Sequence, residues 1–145
     1  MSEAPFDAGP GASSDATEIA ALFDRYLAAY AAQDAQAVAS TFAPEAHLYA
    51  PFGPPAFGRA AIAATHVDWF LDGERDKTMT VLETAVSGDM GHGLVGFAAT
   101  VDGEDGQPTR LYGMSLNTLT RRPEGWLIRH CCLNLFDTPP DGFPS

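Results

Sequence analysis

Basic residues are scarce in this chain. Eight Lys and Arg stand against 19 Asp and Glu in 145 residues, a formal net charge of −11, and that balance repels nucleic-acid phosphates and anionic lipid. We therefore expect no nucleic acid and no membrane surface among its partners. Cysteine is nearly absent: Cys131 and Cys132 are the only two, and as chain neighbours they cannot close an ordinary disulfide loop. No apolar run approaches the ~20 residues needed to cross a bilayer, and the first thirty residues lack the basic start and apolar stretch of a signal peptide. These absences predict a reduced, cytoplasmic protein. Coded chemistry is missing too. There is no GxSxG, no GxxxxGK[ST] and no GxGxxG after a strand, so the motif-coded hydrolase, P-loop and dinucleotide-binding readings fail. His47, His66, His92 and His130 are scattered, with no pair at helical spacing and no CxxC beside them, so neither a metal nor a cofactor is expected.

What is present describes one domain. A chain of this length with 46% hydrophobic residues has the commonest size for a single core. Residues 1–14 and 138–145 are rich in Pro, Gly and Ser and read as disordered tails around a domain at 15–137. Asp15 followed by Glu18 gives a capping box, and Ile19, Leu22, Phe23, Tyr26, Leu27 and Tyr30 form an apolar stripe at helical spacing, which predicts a helix to Ala32. Asp34 caps a second, short helix carrying Val38 and Phe42 and stopped by Pro44. A short strand at His47–Ala50 and a Pro/Gly loop at 51–55 precede a third helix that starts after Gly58 and carries Ile62, His66, Trp69 and Phe70. From Thr78 the texture becomes Val, Leu, Phe and Thr punctuated by turns, which predicts strands at 78–87, 92–102, 109–121 and 126–136. Helices first and an antiparallel meander after is an α+β pattern.

Side chains alternate along a strand. Ser115 and Asn117 therefore share one face with Leu111 and Gly113, and His130, Cys132, Asn134 and Phe136 share one face of the last strand. If those two faces lie on the same side of the sheet, a polar cluster converges beneath apolar helices, the usual form of a small-molecule site. The alternative is that these residues satisfy one another or meet a partner subunit. The adjacent cysteines read as core residues rather than nucleophiles.

The order of three segments resembles the NTF2-like or SnoaL-like superfamily, its ketosteroid isomerase branch above all. They are Phe23-Asp-Arg-Tyr26-Leu, then Ala31-Ala-Gln-Asp-Ala35 running to Thr41-Phe-Ala-Pro-Glu-Ala46, and Pro51-Phe-Gly-Pro-Pro-Ala-Phe-Gly-Arg59. The resemblance covers about residues 15 to 137 and implies three N-terminal helices packed on a curved, mostly antiparallel sheet that forms a cone with an internal pocket. It places Tyr26 where the isomerases keep an oxyanion-binding tyrosine and His66 where they keep a supporting one. It also puts Ala50 at the position of the catalytic aspartate and Ser115 at that of the neutral carboxylic acid, the pair on which that mechanism depends. A true steroid isomerase is therefore not expected. Ser115-x-Asn117 is also similar to a pair used by scytalone dehydratase.

By the same resemblance Phe42, Phe97, Ala99, Val101, His130, Cys132 and Asn134 point into the cone, with His130 the natural proton carrier. The expectation is a cofactor-independent proton-transfer enzyme (an isomerase, dehydratase or cyclase) acting on a small hydrophobic carbonyl or hydroxyl compound. In it His130, Tyr26, His66 and Ser115 are catalytic, and Phe42, Phe97, Ala99, Asn117, Cys132 and Asn134 bind substrate. The alternative is a non-catalytic module that binds lipophilic ligands or dimerises. A homodimer through the outer sheet face is expected, with Tyr112, Leu116, Cys131, Leu133 and Leu135 supplying its apolar surface. Asp137 lies near the acid of some polyketide cyclases, although a frayed end also accounts for it.

Overall fold

The structure is a computed structural model that describes residues 10–145. Helix α1 (Pro10–Ala31) begins five residues before the capping box. The expected N-terminal tail thus divides: residues 1–9 lie outside the described residues, and 10–14 are helical. Proline is tolerated in a first turn because that N–H has no partner within the helix. Asp15, inside the helix, is a tether rather than a cap. It accepts from Arg121 Nη1 at 2.9 Å and Nη2 at 3.2 Å, and from Trp126 Nε1 at 3.4 Å. Ile19, Leu22, Phe23, Tyr26 and Tyr30 are buried as the stripe requires. Asp34 caps α2 (Ala35–Ser40), accepting from Ala37 N at 3.0 Å.

Phe42 and Pro44 belong not to that helix but to β1 (Phe42–Tyr49), which pairs with β2 (Ala56–Phe57) before α3 (Arg59–Leu71). Pro44 has no N–H to donate, and the pairing of β1 is broken between Phe42 and His47. The meander follows as β3 (Arg75–Ser87), β4 (Met90–Asp102), β5 (Pro108–Arg122) and β6 (Gly125–Phe136). Strand order is β2-β1-β6-β5-β4-β3, with β1 parallel to β6 and all other pairs antiparallel. The helices cover the concave face, an α+β arrangement as the sequence predicts.

One irregularity decides which residues face inward. In β6 the register runs from Leu119↔Ile128 to Thr118↔His130, leaving Arg129 as an extra residue. Such a bulge reverses the alternation beyond it. Trp126 and Ile128 face the helices before it, and Cys131 and Leu133 face them after it. Ser115 is paired with Leu133 and Asn117 with Cys131, and directly paired residues share a face.

The C-terminal residues also depart from expectation. The segment 138–145 folds back on the outer face instead of trailing free. The Phe143 ring meets Phe136 edge-on at 5.8 Å, and Arg110 Nη2 donates to the Ser145 carbonyl at 3.3 Å. A Cβ on Gly96 would stand 2.8 Å from Phe143, so this contact requires glycine in β4. Phe143 and Pro144 give the segment apolar surface to dock.

Candidate functional site

Inside the cone an inner chamber meets an outer one that opens to solvent. Trp69, Lys77, Phe97 and Leu133 line both. Apolar walls come from Phe23, Phe42, Leu48, Met79 and Ile128, and the polar groups come from four elements.

Helix α1 brings Tyr26 against His66 of α3, with Oη 2.9 Å from Nε2. His66 Nδ1 lies 2.9 Å from the Ile62 carbonyl, which only accepts, so Nδ1 carries the proton and Tyr26 donates to Nε2. His66 is fully enclosed, and burial holds it down to about 4, hence neutral. Burial likewise pushes the Tyr26 hydroxyl well above its ordinary range. The Tyr26 proton is therefore committed to His66. What Tyr26 offers the chamber is an oxygen lone pair, to which Lys77 Nζ donates at 3.4 Å.

On β5, Asn117 Nδ2 donates to Ser115 Oγ at 2.9 Å and to the Gly93 carbonyl at 3.1 Å. The Ser115 hydroxyl proton and Asn117 Oδ1 then have no partner among the described residues, and both residues line the inner chamber. Cys131 lines it as well, but burial pushes its thiol up to about 12, which leaves it protonated and a poor nucleophile. At the mouth stand Ala50, Pro51, Phe52, Glu74 and Ala99. Glu74 Oε1 accepts from Tyr30 Oη at 2.7 Å.

The structure thus brings Tyr26, His66, Ser115, Asn117, Phe42 and Phe97 together in the inner chamber and puts Ala99 at the mouth. His130, Cys132 and Asn134 require correction. They pair with Thr118, Leu116 and Met114 on the opposite face, because the bulge at Arg129 shifts the alternation by one residue. His130 Nδ1 sits 2.6 Å from Thr118 Oγ1, and its ring lies edge-on to His47 at 5.3 Å. Desolvation, with Arg129 and His47 adding to it, holds His130 below its ordinary value. For the same reason Cys131 and Leu133 face inward, with Leu135 at the mouth, and cannot supply the outer apolar surface. Asp137 is exposed beyond the strand end and lines neither chamber.

The two charged residues of the lining, Lys77 and Glu74, escape the sequence reading. A signal for the first was there, since Lys77 occupies the inward phase of β3 with Met79 and Val81, between outward Asp76, Thr78 and Thr80. Among the described residues no group of three or more His, Cys, Asp or Glu is arranged to hold a metal ion, and no helix is long and apolar enough to cross a membrane.

A SnoaL-like domain family model matches residues 11–131. No curated protein matches the chain. Among solved structures, a ketosteroid isomerase-like protein from Erwinia carotovora atroseptica superposes with a TM-score of 0.75 at 22% identity, over 84% of this chain and 96% of that one. An NTF2-like protein with a cystatin-like fold from Novosphingobium aromaticivorans gives 0.73 at 25% identity, over 86% and 83%. An NTF2-like superfamily protein from Salmonella enterica serovar Typhimurium gives 0.71 at 20% identity, over 92% and 99%. These likenesses establish a shared fold.

Proposed function

Because the chain belongs to the SnoaL-like domain family, we propose that its cavity is the site of a cofactor-independent proton transfer on a small hydrophobic carbonyl or hydroxyl compound. The observation that carries this reading is the position of Glu74. The resemblance implies a catalytic carboxylate at residue 50, where this chain has alanine, and Glu74 lines the same mouth as Ala50. The carboxylate is supplied from the neighbouring strand connection instead. Tyr30 holds Oε1 and leaves Oε2 to take a proton from a ligand in the mouth. The free Ser115 hydroxyl, oriented by Asn117, donates to the ligand's oxygen as negative charge develops there. Isomerisation, dehydration and ring closure share that step. His130 has no part in it.

Hydrogen exchange tests the proposal. With 2-tetralone, a hydrophobic enolisable ketone, in deuterated buffer, the protein is expected to raise α-proton exchange at least about tenfold over buffer, read by NMR. A second reading, a binding module without chemistry, is favoured by the mutual saturation of Tyr26 and His66. It predicts quenching of Trp69 fluorescence by the ketone with exchange at the buffer rate, and that result would overturn catalysis.

We also propose a homodimer through the outer sheet face. The correction of β6 leaves Tyr112 and Leu116 in place there and adds Cys132, His130, His47, Tyr49 and Phe57; Leu116, Tyr49 and Phe57 are large exposed apolar or aromatic groups. Such a surface is of the kind that partners cover. Leu116→Glu is expected to convert a dimer at micromolar concentration to monomer in sedimentation velocity. A wild-type monomer under the same conditions would refute the dimer.

A further inference from the structure

Lys77 is a cation without a counter-ion. Its Nζ stands 4.6 Å from the centroid of the Tyr30 ring, 4.8 Å from Phe97 and 5.3 Å from Tyr26. It donates one hydrogen bond, to Tyr26 Oη at 3.4 Å. Among the described residues no carboxylate lies within ion-pairing distance of it. Glu74 influences it from farther away and is already tied to Tyr30. Aromatic faces favour an ammonium over a neutral amine, but they do not replace the water that partial burial removes, and a half-buried charge without a partner is costly. Lys77 is also the only basic side chain of the described lining, shared by inner chamber and mouth.

We propose that Lys77 is the recognition point for an oxyanion, so that the cavity takes an apolar molecule carrying one anionic oxygen, such as a carboxylate or phenolate, seated on Nζ. The inference rests on the cavity being a ligand site, as proposed above, and narrows its ligand class. Trp69, Phe97, Met79 and Leu133 receive the apolar body. The unpartnered Ser115 hydroxyl offers a second donor within the same lining. Partial burial lowers the affinity of Lys77 for its proton, and a bound oxyanion reverses that by supplying the missing charge.

The exterior sharpens the expectation. With a net charge of −11 the surface repels anions at long range, and salt screens that repulsion over about 8 Å at physiological ionic strength. Salt leaves an enclosed contact comparatively untouched. Affinity for the anion should therefore hold or rise as salt is added, the reverse of binding to exposed lysines.

Two probes matched in shape test the proposal, 2-naphthoate and 2-naphthamide, titrated calorimetrically into the whole protein at low and at physiological salt. The wild type is expected to bind the carboxylate at least about tenfold more tightly, with no loss on adding salt. Lys77→Met is expected to abolish the preference while keeping its affinity for the amide within about twofold. Equal affinities in the wild type would overturn the role of Lys77 and leave the cavity as a ligand site. That comparison needs no variant, so it stands even if Lys77→Met fails to fold. A preference retained by Lys77→Met, or affinity for the carboxylate that falls steeply with salt, would equally overturn it. Failure of both probes to bind at millimolar concentration would remove the ligand site and this inference together.

Discussion

Glu74→Gln is expected to cut the protein-dependent part of 2-tetralone exchange by about 10²- to 10⁴-fold, the usual contribution of a positioned general base, which returns the observed rate to that of buffer. Glutamine keeps the length and shape of the side chain, and its carbonyl oxygen still accepts from Tyr30 Oη, which holds Glu74 Oε1 at 2.7 Å. The substitution therefore removes basicity with little change in geometry. Affinity for the neutral probe 2-naphthamide should stay within about twofold, because the apolar body packs on Trp69, Phe97 and Leu133 rather than on the carboxylate. Four other groups of the lining are poor substitutes as bases. His66 is neutral, but its Nε2 lone pair already receives the Tyr26 proton. The Cys131 thiol stays protonated, and Ser115 and Asn117 have no basicity near neutral pH. Exchange at the wild-type rate in Glu74→Gln would place the base elsewhere and sink the proposed step.

Much of the fold was legible because its signals are local. The stripe from Ile19 to Tyr30, the cap at Asp34, the Pro/Gly loop at 51–55 and the turn-punctuated strands each follow from short-range pattern, and the observed elements agree within a few residues except at Pro10, at β1, which starts at Phe42 rather than His47, and at the two-residue β2. What failed depended on register. The reading of β6 carried one alternation from Trp126 to Phe136, whereas the extra residue at Arg129 divides the strand into two phases. The break has a trace in the sequence. Arg129 and His130 are consecutive polar residues between apolar positions at Ile128 and Cys131, where strict alternation would place one. Reading that pair as a bulge turns His130, Cys132 and Asn134 outward and Cys131 inward.

The candidate site was legible where position alone sufficed and hidden where partners decide. Tyr26, His66, Ser115 and Asn117 all line the chamber, but only coordinates reveal that Tyr26 spends its proton on His66. Glu74 lies in the turn after α3, where no periodicity assigns a direction, and its relation to Ala50 is purely tertiary. The docking of Phe143 on Gly96 is equally long-range, since composition marks the segment as a tail and says nothing of the surface it meets.

Acid should destabilise this protein well above the carboxylate range, and His66 is the reason. Its ordinary value of 6.5 applies in the unfolded chain, while burial against Ile62, Tyr26 and Phe42 holds it to about 4 in the folded one. Between those values the unfolded state binds the proton that the folded state refuses, so stability rises with pH there. The contribution is fully present above about pH 6.5 and is lost as pH falls towards 4. It amounts to about 2 kcal/mol by pH 5 and roughly 3 kcal/mol in all. Two other groups change with acid. His130 is also held below its ordinary value but faces solvent beside Thr118, which makes its share small. Glu45, held low by Arg122, loses its contribution only as pH falls from its ordinary 4.5, below the range in question. Denaturant melts of wild type and His66→Phe at pH 7 and pH 5 separate these sources. The variant is expected to be weaker at pH 7 by about 1–3 kcal/mol, because Tyr26 and the Ile62 carbonyl lose their partner. Its further loss between pH 7 and pH 5 should shrink to a few tenths of a kcal/mol. An undiminished loss in His66→Phe would show that the enclosed neutral histidine is not the acid-sensitive element of the core.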